Sequence, residues 1–257
     1  MIAPGTRVLL VTSEGKKYVV EAAKGMLEVR GLGVLDGDSL CRASYGERFR
    51  VGEQDLIVLK PSIKDLLGLL ERKAQVMIPK DSFIIPMHLD ISCGSKVIEG
   101  GVGSGALTLV LLKAVAPAGR IISYELRKDH ADLARRNVAK AGLEGCWELR
   151  LEDICSANLE QDVDAAVLDI PNPWDAIENI WKAVKVGGHL CCYVPNANQL
   201  ADAVRMMRGV GFSEIMSLET IQREMVVHEG GVRPSFDSLG HTGYLAFGRR
   251  MPKVAPS

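Results

Sequence analysis

The sequence predicts a doubly wound α/β fold with a mostly parallel sheet, ended by an antiparallel C-terminal hairpin and preceded by a small β domain. Three observations predict it. From Lys96 onward, apolar strand-length runs alternate with amphipathic helical stretches, the pattern of a sheet covered by helices on both faces. A glycine-rich turn directly follows the first of those strands. The first 60 residues instead carry short β-type runs broken by Gly, Asp and Ser, with no helical period.

The β-type runs of that first region are Val8 to Thr12, Tyr18 to Val20, Leu27 to Arg30 and Leu56 to Leu59. After Pro61 the pattern changes to Ser62-Ile63-Lys64-Asp65, an S-x-x-D helix start, with apolar residues at helical spacing up to Arg72. In the larger region the expected strands are Val97-Ile98, Ile121 to Tyr124, Trp147 to Leu151, Ala165 to Leu168 and Leu190 to Val194. Phe212 to Thr220 and Tyr244 to Gly248 have little helix between them and are expected to pair antiparallel at the sheet edge. The expected organisation is a β-rich domain over 1–60, a linker helix and connecting segment over 61–80, the α/β domain over 81–250 and a mobile tail over 251–257.

Composition narrows the function classes. The 257 residues are 47% hydrophobic with a net charge of −1, enough to bury one α/β core with a small domain left over. No apolar run approaches the roughly 20 residues that cross a bilayer, and Met1 to Tyr18 shows no leader pattern, so a soluble cytoplasmic protein is expected. Cys41, Cys93, Cys146, Cys155, Cys191 and Cys192 show neither C-x-x-C spacing nor histidines at zinc-ligand intervals. No metal is expected. Near-neutral charge argues against nucleic acid, an objection softened because Lys and Arg can concentrate on one face. Arg7, Lys16, Lys17, Arg42, Arg48, Arg50 and Lys60 give the first region some basic character.

The chemistry-bearing signal begins at Val97-Ile98-Glu99-Gly100-Gly101-Val102-Gly103-Ser104-Gly105-Ala106-Leu107-Thr108. Glycines let the chain turn sharply and let a ligand approach the backbone, beside the unpaired N–H groups of the following helix. A dinucleotide site would use a similar loop, but this one fits the E-x-G-x-G-x-G form of class I, Rossmann-like methyltransferases better. In that form the acid at the strand end, here Glu99, orders the loop around the methionine part of S-adenosylmethionine. Glu125 closes the next strand, where a carboxylate can take both ribose hydroxyls. Asp153 follows the third strand, in Leu151-Glu152-Asp153-Ile154, placed for the adenine amino group. Each acid alone reads as a solvated strand-end residue. Three at the carboxyl ends of successive strands read as a ligand site.

The fourth strand ends in Leu168-Asp169-Ile170-Pro171-Asn172-Pro173-Trp174. Two prolines make this turn rigid, able to hold Asp169 and Trp174 over a transferred methyl group. It resembles the D/N-P-P-Y/W loops of enzymes that methylate base nitrogens. Together with Gln75-Val76-Met77-Ile78-Pro79-Lys80-Asp81, Tyr193-Val194-Pro195-Asn196 and Gly240-His241-Thr242-Gly243-Tyr244-Leu245, the chain resembles, over nearly its whole length, the tRNA adenine-N1 methyltransferase family that acts on the T-loop, in its archaeal and bacterial single-gene form.

That resemblance implies methylation of adenine N1 at tRNA position 58, with 57 as a second candidate. It implies S-adenosylmethionine as cofactor and tRNA as partner, and a homotetramer. It implies cofactor contacts at Gln75, Val76, Met77, Ile78 and Pro79, along Glu99 to Ala106, and at Glu125, His130, Asp153, Ile154 and Asp169. Asp169 is the implied catalytic carboxylate, with Ile78, Pro171 and Trp174 beside the target base. One departure is Ile78, where members often carry Tyr or His, which bears on base positioning. Two alternatives stay open: a class I methyltransferase for a small molecule or a protein carboxylate, and a tRNA-binding subunit without catalysis.

Overall fold

The computed structural model describes residues 1–72, 76–237 and 239–252; Gln75 and the expected tail beyond Pro252 lie outside them. The chain forms two compact units, one of Met1–Glu71 with Arg135–Gly145, the other of Arg72–Ala134 with Cys146–Ser257.

The first unit is built on β1 (Arg7–Thr12), β2 (Lys17–Glu21), β3 (Met26–Val29), β4 (Gly33–Asp36), α1 (Gly37–Arg42), β5 (Arg48–Val51), β6 (Gln54–Leu59) and α2 (Ile63–Gly68). An antiparallel sheet runs in the order β2-β1-β6-β5, and β3 pairs with β4 as a separate hairpin. Val8, Leu10, Leu40, Leu56 and Val58 are fully buried in its core. The sequence pattern misses β4, β5 and α1 because each is short, and α1 depends on a cap rather than on periodicity: the Asp36 side chain accepts the Asp38 N–H. The expected helix after Ser62 carries the full capping box with Asp65 but stops at Gly68, four residues before Arg72. Residues 135–145 are tied to this unit by side-chain bonds to backbone. Asn137 brackets the Glu71 backbone with bonds of 3.1 and 3.0 Å, and Arg7 donates to the Ala139 carbonyl at 2.7 Å.

The second unit begins with the short helices α3 (Pro79–Ser82) and α4 (Ile84–His88), followed by β7 (Lys96–Gly100), α5 (Ala106–Val115), β8 (Arg120–Tyr124), the first half of α6 (Lys128–Ala141), whose residues from Arg135 on belong to the first unit, β9 (Trp147–Arg150), β10 (Val163–Leu168), α7 (Trp174–Ala183), β11 (Val184–Val194), α8 (Ala197–Val210), β12 (Phe212–Leu218), β13 (Met225–His228), β14 (Gly231–Pro234) and β15 (Tyr244–Arg250). Seven strands form one sheet in the order β12-β15-β11-β10-β7-β8-β9. The five strands from β11 to β9 run parallel; β15 is antiparallel to both its neighbours. Strands buried on both faces read as continuous apolar runs, as in Val97-Ile98 and Ala165 to Leu168, all without solvent exposure. The expected terminal pairing of β12 with β15 is present. Between them lies the β13–β14 hairpin, which the sequence reading does not anticipate.

The strand order fixes where a ligand can sit. From β7 the chain proceeds outward through β8 to β9, then returns to place β10 on the other side of β7. The two connections leave the carboxyl ends of β7 and β10 in opposite directions and open a crevice there.

Candidate active site

A cavity of about 1000 Å³ opens at that crevice, lined by Gly101 and Gly103 of the glycine loop, Glu125, His130, Asp153, Ile154, Asp169 and Pro171, and by Val76 and Met77 from the segment before α3. With Ser104, eleven sequence-nominated residues therefore share one cavity.

The glycine loop is shaped by what surrounds it. Gly101, Gly103 and Gly105 have φ of +82°, +55° and +83°, the left-handed region that side chains strain. A Cβ at Gly101 would lie 2.1 Å from the Asp169 carbonyl oxygen, so the loop and the turn after β10 touch backbone to backbone. The Asp169 N–H donates to Gly100 O at 2.8 Å, and the Gly101 N–H to Tyr124 O at 2.9 Å, pinning the loop to both neighbouring strands.

Three carboxyls surround this contact and do different work. Glu125 Oε2 accepts the N–H groups of Val102 and Gly103 at 3.1 and 3.2 Å, and Oε1 accepts the Arg127 N–H at 2.9 Å. Glu99 is fully buried behind the loop rather than in the cavity. It accepts the Thr108 hydroxyl at 3.0 and 2.9 Å and the Ser123 hydroxyl at 2.5 Å, while Ser123 accepts the Trp147 indole N–H at 2.8 Å. Burial pushes its carboxyl up to about 8 against those hydrogen bonds, with Asp169 and Glu125 adding like charge. Asp169 is accessible through the cavity, yet closely surrounded. Burial, then the charge of Glu125, pushes its carboxyl up to about 7. That shift is greatest when a ligand displaces the cavity water.

Other nominated residues are placed elsewhere. Gly100 packs at the strand end, where a Cβ would meet Ile154 and Leu168 side chains at 2.6 and 2.8 Å. Val102 and Ala106 are buried, and Gly105 turns the chain into α5. Ile78 caps α3, its carbonyl accepting the N–H groups of Asp81 and Ser82, and Pro79 opens that helix. Trp174 does not line the cavity: α7 starts at this residue, and the helix packs its ring against the sheet core.

The sequence reading did not nominate Tyr193, Gln199, His241, Thr242 and Asn172, which also line the cavity. Gln199 donates to Pro171 O at 2.9 Å and so fixes the turn that holds Asp169. His241 sets Nδ1 2.6 Å from a Glu219 carboxylate oxygen and Nε2 2.8 Å from Pro195 O. Acceptors on both nitrogens favour the imidazolium, and Glu219 accordingly raises its pKa. No local spacing marks these residues. Three of them fall in, or directly beside, the segments Tyr193 to Asn196 and Gly240 to Leu245, which carried only resemblance. Among the described residues, no group of three or more His, Cys, Asp or Glu could hold a metal ion.

The family described as tRNA methyltransferase complex GCD14 subunit matches residues 57–232. The chain belongs to this family. Within the wider comparison, the methyltransferase is 31% identical to the tRNA (adenine(57)-N(1)/adenine(58)-N(1))-methyltransferase TrmI of Methanocaldococcus jannaschii, over 95% of each chain. It is 33% identical to the tRNA (adenine(58)-N(1))-methyltransferase TrmI of Thermus thermophilus, over 97% of this chain and 98% of that one. Among solved structures, an S-adenosylmethionine-dependent O-methyltransferase of Thermotoga maritima superposes with a TM-score of 0.82 at 32% identity, covering 99% of this chain and 96% of that one. The tRNA (m1A58) methyltransferase TrmI of Aquifex aeolicus gives 0.75 at 26% identity, covering 98% and 99%. The fold is that of the class I methyltransferases.

Gly101→Ala is expected to abolish binding of S-adenosylmethionine, read by isothermal titration, because the methyl group has no room beside Asp169 and φ there is left-handed. Retained affinity would show that this backbone contact does not shape the site. Glu99 makes a pH prediction. Unfolded, it titrates near 4.5 and folded near 8, so the folded chain holds a proton that the unfolded one has lost. Its contribution is complete below the unfolded value and lost as pH rises through the folded one. Denaturant midpoints between about pH 5 and pH 9 should fall with pH in the parent protein and less steeply in Glu99→Gln. Identical slopes would place an ionised Glu99 in the core.

Proposed function

We propose that this chain transfers the methyl group of S-adenosylmethionine to N1 of adenine in the T-loop of tRNA, at position 58 or at 57 and 58, with Asp169 as the catalytic carboxylate. The observation that carries the reading is Asp169, which lines the cavity while its backbone is held against the glycine loop. The relatives' named acceptors, adenine 58 in Thermus and adenines 57 and 58 in Methanocaldococcus, support the substrate.

The residues present fit the cofactor. A left-handed glycine loop lets the methionine part approach the backbone, and Glu125 at the wall offers acceptors to ribose hydroxyls. Asp153, whose Oδ1 accepts the Cys155 N–H at 2.9 Å, lines the same cavity and is the acceptor we assign to the adenine amino group. Bound there, S-adenosylmethionine supplies an electrophilic methyl on a sulfonium, with a neutral thioether as leaving group.

Asp169 acts on the acceptor. Its ionised carboxylate takes a hydrogen bond from the exocyclic amino group, turns the N1 lone pair toward the methyl, and offsets the positive charge that the ring gains. With a pKa of about 7 it can also take up a proton from that amino group near neutrality. The T-loop adenine must leave its stack to enter the cavity. Arg48 and Arg50, exposed on one face of β5, are the contacts we assign to the RNA backbone.

The homotetramer is part of the same proposal. Val227, Val232 and Phe236 on and beside the β13–β14 hairpin are 74%, 64% and 85% exposed, an apolar surface suited to a second copy. A cytoplasmic location fits a tRNA substrate, and all six cysteines are free thiols, the state a reducing compartment maintains. Among the described residues, no helix is long and apolar enough to cross a membrane.

The test is transfer of labelled methyl to an unmodified tRNA transcript. Asp169→Ala should lose transfer by at least about a hundredfold with cofactor affinity kept, whereas Glu125→Ala should lose affinity first. Unchanged turnover in Asp169→Ala removes the residue from the mechanism. In the parent enzyme the rate should rise with pH through about 7 as Asp169 ionises, and a flat profile there would show a carboxylate already ionised below that range. Transfer to a small oxygen nucleophile but not to RNA would favour the chemistry named for the Thermotoga relative.

A further inference from the structure

The helix α3, the strand β11 and the loops flanking β13–β14 meet in a buried polar knot. Asp81 has no solvent exposure, and its partners come from three other segments of the chain. Lys80 Nζ lies 2.8 Å from Asp81 Oδ1. The Thr220 hydroxyl also donates to Oδ1, the Thr242 hydroxyl donates to Oδ2 at 2.7 Å, and the Tyr193 hydroxyl approaches Oδ2 at 3.5 Å. Lys80 reaches on to Thr220 O at 2.7 Å and to Thr242 Oγ1 at 2.7 Å, and Tyr193 donates to Thr242 O at 2.9 Å. Burial, with the charge of Asp81, keeps the Tyr193 hydroxyl protonated, its pKa pushed up to about 12.

Taking an ion pair wholly out of water gains little stability over apolar packing of the same volume, and where such a pair is completely satisfied its value lies in geometry. Here two partners of Asp81 line the cavity, and a third, Lys80, lies in the helix that follows its Val76–Met77 wall. Tyr193 and Thr242 line it, and Met77 lies four residues before Asp81. The approach is close enough that a Cβ at Gly243 would lie 2.4 Å from the Tyr193 ring.

Resting on the reading that the cavity methylates a tRNA adenine, we propose that Asp81 is a positioning residue. With Lys80 it clamps Tyr193 and Thr242 into one wall that orients the target base, while the glycine loop, Glu125 and Asp153 hold the cofactor.

The test uses the full-length enzyme with substitutions outside the cavity lining. Asp81→Asn and Thr220→Val are expected to lower kcat on tRNA by about tenfold to a hundredfold, with S-adenosylmethionine Kd within about twofold of the parent. Thr220→Ser, which keeps the hydroxyl, should restore turnover. Cofactor affinity falling in step with kcat, or unchanged turnover in both variants, overturns the proposal. Hydrogen exchange separates this idea from the choice of acceptor. Peptides covering 76–82 and 239–245 should both exchange faster in Thr220→Val and return to the parent rate in Thr220→Ser, whatever the enzyme methylates. Unaltered exchange means there is no clamp, whereas faster exchange in an enzyme inactive on tRNA leaves the clamp standing and removes the substrate.

Discussion

The site depends on one close approach, Gly101 against the carbonyl of Asp169. Parallel pairing of β7 with β10 brings the two turns together, and only a residue without a Cβ fits between them. The same backbone is tied to β8 through Tyr124 O and to the strand end through Gly100 O. The loop that must accept a cofactor and the turn that must present a carboxylate are thus one rigid object. Rigidity of this kind is what positions reacting groups before the reaction begins.

Charge follows from that geometry. Burial raises the proton affinity of Glu99 and Asp169, the charge of Glu125 raises both further, and Asp169 adds to Glu99. Three backbone N–H groups meet the Glu125 carboxylate and tie it to the loop and to the start of α6. A cavity with surplus negative charge suits a reaction that starts from a sulfonium cation and ends with a cationic base. Glu99, out of reach of solvent, serves the loop and not the ligand.

Much of this was legible in the sequence, for identifiable reasons. Glycine spacing, the acids at strand ends and the two prolines after Asp169 are local signals, and local signals locate the parallel strands and the crevice. Aromatic and long-range features were not legible in the same way. Trp174 reads as a base-stacking ring only while the turn is assumed to run past it; α7 starts at this residue and sends the ring to the core. Tyr193, His241 and Thr242 reach the cavity from β11 and from just before β15, and no spacing relates them to Asp81 before the chain folds. The β13–β14 hairpin was missed because two four-residue strands, largely exposed, have no apolar alternation to announce them.

The most direct test of the central claim is the identity of the methylated nucleoside. An unmodified tRNA transcript is incubated with the enzyme and S-adenosylmethionine, digested and mapped by mass spectrometry. The account predicts 1-methyladenosine within the T-loop and nowhere else. Methylation of a different nucleoside or atom, or none on RNA by an enzyme that binds the cofactor, would contradict it.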